Sequence, residues 1–128
     1  MKYLTKRVLT LLHKNIIDEF GGDNGLRDEG LLEDALAAPL ASFDGNDLFP
    51  SIIEKAARLA FGIIKNHPFV DGNKRTGILV LYFLLLENGF SLNGNVTNDE
   101  TYKLGIGIAD GKIGLDELTL WIVNNTYL

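Results

Sequence analysis

Near its middle, the 128-residue chain has a twelve-residue stretch with side chains that could act on a phosphate group. Residues 66–77 read NHPFVDGNKRTG and combine one histidine, one carboxylate and two adjacent cations with glycines and asparagines. Magnesium prefers oxygen ligands, a histidine can accept a proton near neutral pH, and a helix N-terminus attracts anions. The stretch therefore predicts a site for phosphoryl or nucleotidyl transfer.

Two residues of this stretch are suited to catalysis. His67 titrates near neutrality and is predicted to be the general base that accepts a proton from an attacking hydroxyl. Asp71 is the only carboxylate of the stretch and is predicted to bind Mg²⁺. Pro68 should restrain His67 to an extended conformation, and Phe69 should anchor the loop in the core.

The next four residues are predicted to bind phosphate where a helix begins. Gly72 would let the backbone approach a phosphate closely, and Asn73 would add an amide donor. Lys74 and Arg75 would supply positive charge, the arginine with a planar fork. The alternative is a helix–loop–helix junction whose polar residues only cap helices and contact solvent. The convergence of so many anion-binding groups favours the functional interpretation.

Composition limits the class of protein. A length of 128 residues with 46% hydrophobic and 23% charged residues is typical of a globular domain, so one domain over residues 1–128 is predicted. The absence of cysteine excludes thiolate metal sites and fits a reducing compartment. A net charge of −5 without a long basic run argues against direct nucleic-acid binding.

Neither a membrane span nor a signal peptide is predicted. The longest apolar run, residues 78–86, has nine residues, about half of the ~20 that a span requires. Charged residues interrupt the N-terminal apolar pattern, and no small-residue cleavage site follows it. We therefore expect a cytoplasmic protein that does not contact a membrane.

The elements predicted around the stretch are helices. Apolar residues recur every four positions over residues 4–20, which indicates an amphipathic helix. His13 lies within it and is predicted to be a partly exposed histidine without a catalytic role. Asp28 is a predicted cap of a second, short helix, and capping boxes at Ser51 and Thr97 are predicted to begin two more.

A central helix, a final helix and a loop with a turn signal complete the predicted fold. Residues 74–88 are apolar on every face, which predicts a fully surrounded helix. Residues 115–126 form a final helix, and no strand longer than a few residues is predicted. The fold is therefore predicted to be all-α. Residues 40–50 contain the turn signal Phe43-Asp44-Gly45, which indicates a small hairpin or irregular flap. The residues themselves favour a loop that only connects two helices over a loop with a function of its own.

The motif at residues 67–75, HPFVDGNKR, resembles the core motif of the Fic/Doc superfamily, H-P-F-x-D/E-G-N-x-R. Lys74 stands where Fic adenylyltransferases usually carry glycine, and Ile78 stands where they carry a second arginine. Both differences follow the pattern of the death-on-curing (Doc) branch. The resemblance covers nearly the whole chain and includes residues 25–32 (GLRDEGLL), 54–57 (EKAA) and 88–90 (NGF).

This resemblance implies a Fic/Doc-like bundle of about six helices around the central helix, and a toxin that a Phd-like antitoxin neutralises in trans. It implies transfer of the γ-phosphate of ATP to a Ser or Thr hydroxyl of a protein, with elongation factor Tu as the family's known target and translation as the inhibited process. His67 would be the base and Asp71 the Mg²⁺ ligand. Residues 72–75 would bind the ATP phosphates, and the 40–50 flap would align the target peptide.

Two alternatives stay open at this point. The chain could be an AMP-transferase of the Fic type in which Lys74 is tolerated. It could also be a catalytically silent module that binds an antitoxin, a nucleotide or a partner protein. Lys74 and Ile78 are the residues on which the choice between phosphate and AMP depends.

Overall fold

The structure is a computed structural model that describes residues 1–128, and it consists mainly of helices. Six α-helices are accompanied by a 3₁₀ turn at Ala38–Leu40 and by two antiparallel pairs of two-residue strands. The all-α prediction is confirmed, whereas the prediction of a single domain over residues 1–128 stays a prediction. The helices are α1 (Lys6–Phe20), α2 (Glu29–Ala37), α3 (Ile52–Asn66), α4 (Asn73–Glu87), α5 (Asn98–Ala109) and α6 (Leu115–Asn125). The strands are β1 (Ser42–Phe43), β2 (Asn46–Asp47), β3 (Ser91–Leu92) and β4 (Thr126–Tyr127).

Side-chain caps begin several helices, as the sequence indicates. The capping box at Ser51 is complete, because its hydroxyl accepts from the Glu54 N–H at 3.1 Å and the Glu54 carboxylate accepts from the Ser51 N–H. The box predicted at Thr97 is only half formed. Thr97 accepts from the Glu100 N–H, but the Glu100 carboxylate instead accepts from the indole N–H of Trp121, 3.2 Å away. This hydrogen bond ties α6 to the first turn of α5.

Helices α3 and α4 pack against each other at the centre of the molecule. α3 also contacts α2, α5 and α6, and α4 also contacts α1 and α5. Gly77 permits the close approach, because a Cβ at this position would lie 2.6 Å from the Ile64 Cγ1 atom. The prediction that α4 is surrounded on every face is wrong, since Leu86 is 67% exposed. Two helices therefore share the central position.

Residues 42–47 form a hairpin, which is one of the two conformations that the turn signal allowed. Its strands pair Ser42 with Asp47 and Phe43 with Asn46. Asp44 and Gly45 both have positive φ values, 52° and 80°, which correspond to a type I′ turn that matches the twist of paired strands. Phe43 is 76% exposed and therefore does not pack in the core.

A buried lysine connects this hairpin to α3. Lys55 lies in the first turn of α3 and is 5% exposed. Its ammonium donates to the Asp47 carboxylate at 3.2 Å and to the Phe49 carbonyl oxygen. Burial of a lysine is unfavourable unless its charge is paired and hydrogen-bonded, so these two acceptors explain its position.

The longest helices have 15 residues. None of the helices combines the length and the hydropathy that a membrane span requires.

Candidate active site

The predicted catalytic stretch is the loop between the two central helices. α3 ends at Asn66 and α4 begins at Asn73, so that residues 67–72 connect two rigid elements. Phe69 is 2% exposed and anchors the loop in the core, as predicted. A loop fixed at both ends and at its centre can hold reactive groups in a defined geometry.

The backbone of His67 differs from the sequence prediction. We expected an extended conformation because Pro68 follows, but His67 has φ 50° and ψ 55°, in the left-handed helical region. A residue in this region ends α3 in the way that a C-terminal glycine or asparagine commonly does. Residues with a side chain rarely adopt this conformation, and it persists only where contacts with the surrounding structure fix it.

The segment between α1 and α2 provides those surroundings. The Arg27 guanidinium donates to the carbonyl oxygens of Asn66 and His67 at 2.8 and 2.6 Å. The backbone N–H groups of Arg27 and Asp28 both donate to the carbonyl oxygen of Pro68, at 2.8 and 3.0 Å. The carbonyl groups of Asn66, His67 and Pro68 thus all accept hydrogen bonds from Arg27 and Asp28.

The electrostatic environment favours the neutral form of His67. Partial loss of hydration lowers the pKa of its imidazole, and the positive charges of Lys74 and Arg27 lower it further. A histidine whose pKa lies below its ordinary value is neutral at pH 7. His67 is therefore in the protonation state that a general base requires.

The start of α4 presents backbone N–H groups that have no acceptor in the protein. The N–H groups of residues 72–75 donate to no acceptor in the protein, and Gly72, the N-cap residue, supplies no capping side chain. Four free N–H donors at a helix N-terminus, together with the helix dipole, favour a bound anion. The predicted phosphate site thus has a physical basis in the backbone.

The side chain of Asn73 has a different role from the predicted one. We expected its amide to donate to phosphate, but it is 5% exposed and turned into the loop. It accepts from the Phe69 N–H at 3.0 Å and donates to the Phe69 carbonyl at 2.9 Å. The backbone N–H of Asn73 therefore stays free at the start of α4, while its side chain fixes the loop.

The reason for a glycine at position 72 also differs from the prediction. Gly72 has φ 81°, and a Cβ atom there would lie 3.2 Å from Ile17 Cδ1 and 3.4 Å from Ile16 Cγ2. The missing side chain thus faces α1. Glycine is needed for the left-handed backbone and for the packing on α1, so the predicted approach of phosphate does not explain it.

His13 is a site residue that the sequence prediction missed. It was predicted to be partly exposed, but it is 1% exposed and stacks on Phe69, with ring centroids 3.7 Å apart and planes 5° apart. Its Nε2 lies 2.8 Å from the Asp71 carbonyl oxygen, so the Nε2–H donates. The spacing of Leu9, His13 and Ile16 on one face of α1 was the signal that could have revealed its burial.

Asp71 is exposed at the end of the loop and can still bind a metal ion. Its Oδ2 accepts from the Asp23 N–H at 2.7 Å, which orients the carboxylate and leaves it other lone pairs. No group of three or more acidic or histidine side chains surrounds it. One carboxylate fits Mg²⁺, which commonly takes one or two protein carboxylates and completes its shell with water and phosphate oxygens.

Lys74 and Arg75 line a cleft of about 680 Å³ that lies between α1, α4 and α5, beside the loop. The Arg75 guanidinium lies 4.1 Å from the centroid of the Phe20 ring and 5.6 Å from that of Tyr102. The cleft wall includes both cations but neither His67 nor Asp71. Arg75 is thus held by aromatic rings beside the loop.

No hydrogen bond or ion pair joins the hairpin residues Phe43, Asp44 and Gly45 to the loop. Lys55 ties the hairpin to the first turn of α3, whereas His67 follows the last turn. At about 1.5 Å per residue, these two points of the helix are roughly 18 Å apart.

Comparison with known proteins identifies the family. A sequence model of the Fic/DOC family matches residues 3–85, which include α1 to α3, the loop and most of α4. The chain belongs to the Fic/DOC family. The Fic/DOC chain is also 37% identical over 99 residues to Toxin Doc of Mycolicibacterium smegmatis, over 77% of this chain and 76% of that protein. This relative confirms the resemblance to the Doc branch.

Proposed function

We propose that this Fic/DOC protein is the toxin of a toxin–antitoxin pair and acts as an ATP-dependent protein kinase. The observation that carries the proposal is the set of free N–H groups of residues 72–75 at the start of α4, beside a neutral His67. Such a site can hold a phosphate group and deprotonate a hydroxyl that attacks it. The likeness to Toxin Doc supports the role as a toxin.

In the proposed reaction the hydroxyl oxygen of a target Ser or Thr forms a bond to the γ-phosphorus of ATP. The bond from that phosphorus to the bridging oxygen breaks, and ADP leaves. His67 accepts the hydroxyl proton, while the N–H groups of residues 72–75 and the Lys74 ammonium stabilise the phosphate oxygens. Asp71 would hold Mg²⁺, which when bound neutralises part of the phosphate charge.

The finer points of the proposal rest on the family resemblance. The partner would be a Phd-like antitoxin that binds in trans. The target would be elongation factor Tu, whose modification inhibits translation in the cytoplasm. Neither a nucleic acid nor a membrane is a proposed partner. Phe43, Asp44 and Gly45 would contact the target through the hairpin.

Transfer of AMP is the second candidate, because a phosphate-binding helix start does not distinguish the α- from the γ-phosphate. Lys74 and Ile78 favour the kinase. Both line the cleft beside the loop, where Ile78 offers a hydrophobic side chain in place of a second arginine. In this part of the cleft a phosphate group would therefore meet a cation at position 74, one helical turn nearer to the loop, and none at position 78, where the Fic pattern has its second arginine.

ATP labelled at either the α- or the γ-position tests the proposal in a bacterial lysate supplemented with the purified protein. We expect label from the γ-position on a protein, and no such label with His67→Ala. The control is Arg7→Ala, because Arg7 is exposed on α1 and its side chain makes no hydrogen bond or ion pair. Protein labelled only from the α-position refutes the kinase. A second test expresses the protein in bacterial cells and follows their growth. Growth arrest that persists when the cells express folded His67→Ala or Asp71→Ala variants indicates a silent binding module instead.

A further inference from the structure

The carbonyl oxygen of His67 accepts a hydrogen bond from a residue that lies 40 positions earlier in the chain. A left-handed conformation is unfavourable for histidine and needs contacts that outweigh its strain. Within its own loop, the backbone of His67 makes no hydrogen bond that could supply them. The contact that the structure provides is the Arg27 guanidinium on the His67 carbonyl oxygen.

The geometry of this contact requires an arginine. Nε and Nη2 of Arg27 donate to two successive carbonyl groups, those of His67 and Asn66. A planar fork with fixed N–H directions can serve two acceptors at once, whereas a lysine ammonium acts as a point charge on a flexible stem. Carbonyl groups at the end of a helix also carry partial negative charge, which a cation stabilises.

The rest of the segment keeps Arg27 in register with the loop. The backbone N–H groups of Arg27 and Asp28 donate to the Pro68 carbonyl, and the Val70 N–H donates to the Gly25 carbonyl at 3.0 Å. Leu26 and Phe69 pair as an isolated antiparallel bridge. The main chain of residues 25–28 thus runs beside the catalytic loop and delivers the guanidinium to the end of α3.

We infer that Arg27 is a positioning residue for the catalytic base, because its two hydrogen bonds hold the backbone of His67 in the conformation that places the imidazole at the entrance of the anion site. The inference rests on the proposed role of His67. Arg27 does not touch the substrate in this scheme and acts through His67 alone.

Arg27 has a second, electrostatic effect that makes the inference measurable. The charged groups that act on His67 are Lys74 from α4 and Arg27 from the α1–α2 segment, and both lower the pKa of the imidazole, after the larger effect of lost hydration. Removal of Arg27 should therefore raise this pKa, whereas a residue that merely stabilised the fold would leave it unchanged.

The experiment compares Arg27→Met, Arg27→Lys and the control Arg7→Met in two measurements. The first is the pKa of His67 by NMR titration of the ligand-free protein, which has only two histidines, one of them buried. The second is the transfer rate on the pH plateau. Arg27→Met should raise the pKa and lower the plateau rate by roughly 10- to 100-fold, since small displacements of a catalytic group have effects of this size.

Arg27→Lys should keep the low pKa but lose much of the plateau rate, because the charge remains and the fork is lost. It also serves as the informative variant if Arg27→Met does not fold. A folded Arg27→Met protein with unchanged pKa and rate, or full activity in Arg27→Lys, overturns the inference. If the wild-type protein transfers no label, the proposed function fails, whereas the titration still tests the contact between Arg27 and His67.

Discussion

Replacement of Asn73 by alanine separates a structural from a phosphate-binding role for this side chain. The amide makes two hydrogen bonds to the backbone of Phe69, of 3.0 and 2.9 Å, and both Phe69 and Asn73 are buried. The variant would leave one N–H and one carbonyl group without partners. Each unsatisfied buried group costs about 1–3 kcal/mol, so the free energy of unfolding should fall by roughly 2–6 kcal/mol.

The assay is urea unfolding of the nucleotide-free protein, followed by circular dichroism and compared with Asn124→Ala. Asn124 is exposed on α6, and its side chain makes no hydrogen bond, so the control should stay within about 0.5 kcal/mol of the wild type. If the amide of Asn73 bound phosphate, the variant would instead unfold like the wild type without nucleotide and show a raised KM for ATP. That pair of results would refute the reasoning from the loop geometry.

Three further predictions follow from the same structure. The transfer rate should be constant through neutral pH and should fall only when acid titrates His67 below its ordinary pKa, because the lowered pKa keeps the base neutral; a decline that begins above that value in a rate–pH profile contradicts this assignment. Gly77→Ala should destabilise the protein by about 1–3 kcal/mol through overpacking, since the added Cβ would lie 2.6 Å from a side-chain atom of α3. Gly105→Ala is the control, because a Cβ at position 105 has room, and this variant should be neutral or stabilising. Equal urea midpoints for the two variants would be inconsistent with this packing. Lys55→Met should accelerate hydrogen exchange in the 42–47 hairpin without changing exchange in α4, because the Asp47 carboxylate and the neighbouring Phe49 carbonyl oxygen lose their donor. Unchanged hairpin exchange would show that Lys55 does not hold the hairpin.

The sequence predicted those features of the fold that depend on neighbouring residues. Helix positions followed from apolar spacing, and the caps at Asp28 and Ser51 begin α2 and α3 as expected. These signals are local, because a cap or an amphipathic face involves residues within one or two turns. The half-formed box at Thr97 is the informative exception, since a residue 21 positions away takes the Glu100 carboxylate.

The candidate site divides in the same way. The residue types and spacing of residues 67–75 predict a phosphate site with a base and a metal ligand, and their resemblance to the family motif identified the family. The sequence did not reveal that Arg27 clamps the end of α3 or that His13 supports the loop. Their partners are 40 and 58 positions away along the chain, so no local pattern records these contacts.

By itself, then, the sequence determined which chemical groups the loop between α3 and α4 contains. Tertiary structure decided how each of them is used. It turned the Asn73 amide inward, put the missing side chain of Gly72 against α1 and held His67 in a left-handed conformation next to two cations. The physical reason is that buried polar groups and strained backbone must be satisfied by whichever atoms the packed helices bring near, and those atoms come from distant parts of the chain.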